Sequence, residues 1–405
     1  MKYLVIFSLM ALFACQPTSK NKSASETKSA KATTLSTDKW QYIQIDDQKV
    51  KWGDFAEPEW LRYFGLDAAD LNNDGFKDVV SGRNVYLNPG GDMAGEWTKI
   101  DLGMNVDAMI SIDVNNNGRA DIIAEALPDV YWFEASDETA TKWTAKVVGQ
   151  IPPTSHHNGQ GYQAADIIPG GKMEVLLSSQ EGLYLIELPK KDGDEWKVSL
   201  IGADGTDEGL TVGDIDNDGD LDVAGGRRAE GNPEPTVVVW FENPGDDTAP
   251  WKDHELGNSE HPVDRVELAD FDGDDKLDLA VGEERYPGLE PDANMYVFFQ
   301  KENKNWERKT IVTQYAMNNL DVADIDNDGD MDISTSEHKG EDLTLQLWLN
   351  DGAGNFTIQE VDKGKEAHLG ARFYDMDGDD DLDIISIGWD QHNFVHLWRN
   401  DAIKN

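Results

Sequence analysis

A nine-residue acidic unit, Asp-x-Asp/Asn-x-Asp/Asn-Gly-x-x-Asp, recurs seven times along the chain, and no other feature narrows the possible folds so far. The first copy runs through Asp70, Asn72, Asp74 and Asp78, the second through Asp113, Asn115, Asn117 and Asp121. The third, starting at Asp166, is degenerate: Ile168 and Gly170 stand at ligand positions, while Gly171 and Glu174 keep the spacing. The fourth contains Asp214, Asp216, Asp218 and Asp222, and the fifth Asp270, Asp272, Asp274 and Asp278. The sixth contains Asp324, Asp326, Asp328 and Asp332, and the seventh Asp375, Asp377, Asp379 and Asp383. Asp275 and Asp380 stand where the other intact copies carry Gly.

Successive starts lie 43, 53, 48, 56, 54 and 51 residues apart, the length of one four-stranded propeller blade. Apolar runs flank each unit, as in Leu277–Val281, and an aromatic-rich run such as Val237–Phe241 follows. Six further runs open with Trp97, Trp143, Trp196, Trp251, Trp306 and Phe356, one fewer than the acidic units. The seventh, Trp40–Ile45, precedes the first unit. The reading is therefore an all-β, seven-bladed β-propeller over residues 39–405, its ring closed by the N-terminal strand, which leaves no free sheet edge.

Alternate carboxylates on a tight loop converge, and six to eight oxygens suit calcium better than magnesium. Six intact copies predict up to six structural calcium ions. They would offset part of a formal charge of −44, which arises from 79 acidic against 35 basic residues. That charge excludes nucleic acid as a partner over most of the surface. No sequence signature of an organic cofactor is present.

Residues 1–14 have the form of a signal peptide, with Lys2 followed by an apolar run too short to span a membrane. Leu12-Phe13-Ala14-Cys15 resembles the bacterial lipobox, so lipidation is expected at Cys15, the only cysteine. Residues 15–38, rich in Ser, Thr, Lys and Ala, read as a flexible tether. The expectation is an exported monomer that meets the membrane only through its lipid, on the periplasmic side of the outer membrane or at the cell surface.

In a propeller all acidic loops lie on one face, so residues before each first strand and between the second and third strands share the other face. Six of the eight His and seven of the ten Arg fall there. His156, His157, His261, Tyr162 and Tyr315 precede first strands, with Arg62, Arg265, His368 and Arg372. Arg83, Arg227, Arg228, Arg285, His338 and His392 fall between second and third strands, with Trp389 and Tyr286. His157 and His261 each stand nine residues before the first loop Asp. Arg matches carboxylate and sulfate by bidentate hydrogen bonding, and His titrates near neutrality. An acidic oligosaccharide or polysaccharide is the expected ligand. Its chemistry would be β-elimination to an unsaturated uronate, with acid and base drawn from His157, His261, Tyr162 and His156. Arg227, Arg228, Arg265 and Arg285 would hold the carboxylate, with Arg83, Arg372, His338 and His392 around them. Loss of water defines a dehydratase; loss of a sugar defines a polysaccharide lyase. A non-catalytic glycan-binding propeller needs the Arg cluster without the His, and a protein scaffold needs neither.

The acidic repeat and its flanking strands resemble the FG-GAP, or VCBS, propeller repeats of integrin α-subunit heads. Val239-Trp240-Phe241-Glu242-Asn243-Pro244 and Ser155-His156-His157-Asn158-Gly159 are similar to the propeller of sugar dehydratases of the aldos-2-ulose dehydratase type. The chain also resembles lipoprotein propellers of marine bacteria that break down algal polysaccharides, oligosaccharide dehydratases of ulvan breakdown among them. The resemblance implies a carbon–oxygen lyase acting on uronate sugars. No cupin-like domain is expected after the propeller, which puts any chemistry of such a domain outside this reading.

Overall fold

The computed structural model describes residues 34–50, 63–169, 173–189, 195–232, 234–245, 250–285, 290–367 and 371–403. Its strands form seven four-stranded antiparallel sheets, a seven-bladed β-propeller. The first blade is typical: Asp67–Ala69, Asp78–Ser81, Asn84–Leu87 and Thr98–Asp101 run in order from the inner to the outer edge. Middle strands such as Asp222–Arg227 and Val237–Glu242 are buried on both faces, which explains why uncharged residues run unbroken through Val223–Gly226 and Val237–Phe241. Outer strands such as Lys252–Asn258 alternate and face solvent. A 3₁₀ turn at Glu302–Lys304 is the only helical element among the described residues.

The N-terminal strand Trp40–Asp46 is the outer strand of the seventh blade. It pairs antiparallel with Val395–Asn400, with Trp40 opposite Asn400 and Ile43 opposite Leu397. Seventh and first blades touch through the Tyr374 hydroxyl, which donates to Asp67 at 2.5 Å, and through the Asn88 amide, which donates to the Met376 carbonyl at 3.0 Å. Just before that strand, in the stretch read as a tether, the Leu35 N–H donates to the Asp326 carbonyl and the Thr37 hydroxyl to Gln359. Cys15 and the signal segment lie outside the described residues, as do Trp60, Arg62, Gly170, Gly171, Tyr286 and His368.

Each acidic unit forms the loop between the first two strands of its blade. Its first Asp accepts backbone N–H groups from within the loop, as Asp70 does from Asp74 and Gly75. Its last Asp is buried and fastens two places at once: Asp332 accepts from Ile325 at 3.2 Å and from Asn350, at the end of the third strand, at 2.8 Å. Asp78, Asp222, Asp278 and Asp383 do the same in their blades. Glu174 keeps half of this role in the degenerate copy, accepting from Ile167 and Ile168. The sixth position requires positive φ, 102° at Gly329. Asp275 and Asp380 adopt 64° and 72° there, and in those two loops glycine moves to the fourth position, Gly273 and Gly378.

Candidate functional site

A cavity of about 830 Å³ opens on the face opposite the acidic loops. Every lining residue comes from one of two places. Phe64, Ser155, His156, Gln160, His261, Pro262 and Asn318 precede a first strand, and Asp207 and Glu208 open one. Gln180, Arg228, Glu234, Pro235, Glu284, His338, Lys339 and Trp389 follow a second strand. Phe64, Gln160, Glu208 and Asn318 each stand six residues before the first Asp position of their loop, as Asp264 does. Equal register in equal blades places them at equal depth around the axis.

The floor is carboxylate-rich. His156, Asp207 and Glu208 each offer a ligand atom within 4.8 Å of the others, and so do Glu208, Asp264 and Glu284. Asp207 and Glu208 are each 7% exposed and Asp264 only 1%. Glu208 Oε2 and Asp264 Oδ2 are buried with no hydrogen-bond partner. Burial and the neighbouring Asp264, Asp207 and Glu284 push Glu208 well above the usual carboxylate range. Burial raises Asp264 and Glu284 too. Asp207 is pushed up by burial, but His156 and Arg228 outweigh this and leave it low. Arg265 is the nearest cation below, 3.0 Å from Asp264 and 3.5 Å from Glu208. Several buried acids, two of whose oxygens make no hydrogen bond, fit a divalent cation, which would relieve their mutual repulsion.

Three imidazoles line the walls. His156 Nδ1 lies 3.9 Å from Asp207, and His261 Nε2 lies 3.9 Å from Asp292. His338 Nδ1 lies 3.3 Å from Glu366, whose other oxygen accepts the Gln391 N–H at 2.6 Å. Trp389 stacks on Phe64 at 5.6 Å and 21°, with His156 edge-on to both. Arg228 lines the cavity, tied to Asp207 at 3.3 Å and to the Gly205 carbonyl at 2.8 Å.

Other residues expected at the site stand elsewhere. Tyr162 is buried between blades; its hydroxyl accepts the Leu66 N–H at 2.9 Å and lies 3.3 Å from the Phe64 carbonyl. His157 turns away at a φ of 82°, its backbone paired with Thr154, and burial lowers its pKa. Arg227 is drawn to the outer strand by Asp253 and Glu255, and Arg83 by Asp101; Arg285 pairs with Asp292, just before the third strand of its blade. His392 is half-buried outside the cavity, its Nδ1 3.3 Å from the Asp390 carbonyl. Arg372 lies deeper in the central channel, its guanidinium 5.3 Å from the Tyr162 ring. Its charge is further stabilised by Asp321 and Glu267. Asp207, Glu284, Glu366 and Phe64 were not anticipated. Phe64 was signalled by the six-residue offset, and Asp207 and Glu284 by the acidic pairs Asp207-Glu208 and Glu283-Glu284; Glu366 carried no such signal.

No family model matches this chain, and no curated protein matches it. Solved structures do. A lectin of Agrocybe aegerita, described as recognising non-reducing terminal N-acetylglucosamine, aligns with a TM-score of 0.50 and 17% identity, covering 80% of this chain and 88% of that one. BBS1N, solved in complex with ARL6DN, aligns with a TM-score of 0.55 and 10% identity, covering 91% and 97%. At these identities the likeness is one of propeller fold alone.

Proposed function

We propose that the cavity binds the uronate end of an acidic oligosaccharide and eliminates water from it, making the protein a carbon–oxygen lyase. The observation behind this reading is the gathering of His156, His261 and His338 with Arg228 and Lys339 in one cavity. Trp389 on Phe64 offers a face for a sugar ring. Arg228 and Lys339 lie where they can attract the substrate carboxylate. A divalent cation held by Glu208, Asp264 and Glu284, with His156 and Asp207 beside it, would supply Lewis-acid charge to that carboxylate. Withdrawing charge acidifies the adjacent C–H. His338, whose Nδ1 lies 3.3 Å from Glu366 and which lines the cavity, is the proposed base that takes that proton. His261 donates a proton to the oxygen leaving the β-carbon. The C–H pair becomes the new double bond, the C–O bond breaks, and water departs. A polysaccharide lyase would use the same groups with a sugar as leaving group.

A second reading, capture of glycans without chemistry, draws on the aromatic platform and on the likeness to a lectin. One experiment separates the three. The purified propeller is incubated with ulvan-type uronate oligosaccharides, and ultraviolet absorbance of the conjugated enol carboxylate is followed beside mass spectrometry. Rising absorbance with loss of one water from an intact oligomer marks a dehydratase; chain shortening marks a lyase. Binding with no absorbance change rejects catalysis.

The acidic loops on the opposite face would hold up to six calcium ions as staples, in keeping with their convergent carboxylates. Asp214, Asp216 and Asp218 each offer an oxygen within 4.8 Å of the others, as do Asp270, Asp272 and Asp278, and Asp324, Asp326 and Asp332. Asp216 Oδ1 and Asp272 Oδ1 are buried without a partner. Lipidation at Cys15 would anchor the monomer to a membrane through residues 15–38.

A further inference from the structure

The seventh acidic loop departs from the others in one respect. Six residues after their first Asp, the other intact loops carry Phe76, Arg119, Asp220, Lys276 and Asp330; the seventh carries Asp381. Asp220 and Asp330 are partly exposed, whereas Asp381 is only 1% exposed. The C-terminal segment covers it, and the Ile403 N–H donates to Asp381 Oδ2 at 2.9 Å. Asp381 Oδ1 is buried and has no hydrogen-bond partner. Asp377, Asp379 and Asp383 are buried as well, at 8%, 9% and 0% exposure.

The oxygens of this loop are unequally committed. Asp375 accepts the N–H groups of Gly378, Asp379 and Asp380. Asp383 accepts those of Met376 and Asn400. Asp379 Oδ1 accepts the Asp381 N–H at 3.1 Å. Beside Asp377 and Asp379 opens a second cavity, of about 530 Å³. Arg399, the basic residue on its wall, directs its hydrogen bonds to Asp401, Gln41 and the Asp92 carbonyl.

We propose that the seventh loop binds two divalent cations. One is the loop ion shared by all intact copies; the other is held between Asp377, Asp379 and Asp381 and completes its shell with water from the adjoining cavity. Loops four and six carry five carboxylates each against six, and bury only the last, Asp222 and Asp332. In loop seven most of the charge is shut away from water, where an uncompensated carboxylate is strongly unfavourable. A single divalent ion leaves most of that charge uncompensated. Calcium takes six to eight oxygens at a flexible geometry, so carboxylates at alternate positions can bridge two ions. The second ion would also tie the C-terminal segment to the loop through Asp381.

The inference rests on the reading that the acidic loops hold cations, and the test separates the two. Calcium ions per chain are counted by native mass spectrometry for the full folded domain, for Asp375→Asn, for Asp381→Asn and for the double variant. Asp381→Asn keeps an oxygen for the Ile403 N–H, and far-UV circular dichroism confirms that each variant is folded. Each single variant is expected to lose one ion and the double variant two. A double variant that loses only one ion, or Asp381→Asn with the wild-type count, overturns the second site. A wild-type protein that carries no calcium overturns the loop reading itself.

Discussion

Glu366 Oε1 lies 3.3 Å from Nδ1 of His338, and both residues are only 2% exposed. A buried carboxylate beside one ring nitrogen can orient the imidazole electrostatically. Removing the imidazole should remove general-base help, worth about 10²–10⁴-fold. His338→Ala is therefore expected to lower the elimination rate by that order while glycan binding persists. Glu366→Gln should lower the rate less, because it removes the carboxylate beside the imidazole rather than the imidazole itself. Elimination rates, with affinity measured by calorimetry, check both. A Glu366→Gln variant with the wild-type rate would remove Glu366 from the mechanism.

Asp332 fastens the loop start and the end of the third strand through the N–H groups of Ile325 and Asn350. Asp332→Ala orphans both donors in a buried place, at about 1–3 kcal/mol each. Urea unfolding should show a loss of roughly 2–6 kcal/mol by that rule. Asp328→Ala, in the exposed part of the same loop, should lose much less when calcium is absent. Adding calcium should stabilise wild type more than either variant, and thermal melts with and without chelator report it.

Glu267 faces the channel, and burial together with Asp321 pushes its pKa up to about 8 despite Arg372. A carboxyl raised in the folded state is protonated there while the unfolded chain is ionised. Folding then becomes less favourable as pH rises from the unfolded value, about 4.3, toward 8. Glu267→Gln removes this dependence. The variant should match wild type near pH 4 and exceed it increasingly up to pH 8, by at least about 1 kcal/mol. Unfolding curves across that range decide the matter, and equal slopes for the two proteins would contradict it.

Seven blades were legible because each blade repeats its own turn chemistry locally. Asp70, Asp214 and Asp324 signal a loop from nine consecutive residues. The place of Trp40–Asp46 was legible because six aromatic openings for seven loops leave one strand over. The face that carries the cavity followed from loop order alone. Individual roles did not. Arg227 ends a second strand at the cavity-bearing face, yet Asp253 and Glu255 on the outer strand of its own blade capture it. Tyr162 belongs to the start of an inner strand, yet its hydroxyl meets the backbone of Phe64 and Leu66 two blades away. Both outcomes depend on partners distant in sequence, brought close by strand register and ring curvature. Glu366 was overlooked for the same reason, since its partner His338 lies in the blade before it.

Trp389 stacks on Phe64 at 5.6 Å, and Phe64 comes from the first blade whereas Trp389 comes from the last. The pair is a sugar platform only while these two blades keep their relative position. Trp389→Ala removes the platform but leaves His156 and His338 in place. Stacking contacts of this kind are worth about 0.5–1.5 kcal/mol, so affinity for a uronate oligosaccharide should fall roughly 2- to 12-fold. If the reading as a lyase holds, KM should rise by that factor with kcat little changed, because a platform binds ground and transition states alike. If the protein captures glycans without chemistry, the same fall appears in binding alone. Affinity that stays constant in Trp389→Ala would show that the ring sits elsewhere, against the charged wall formed by Arg228 and Lys339.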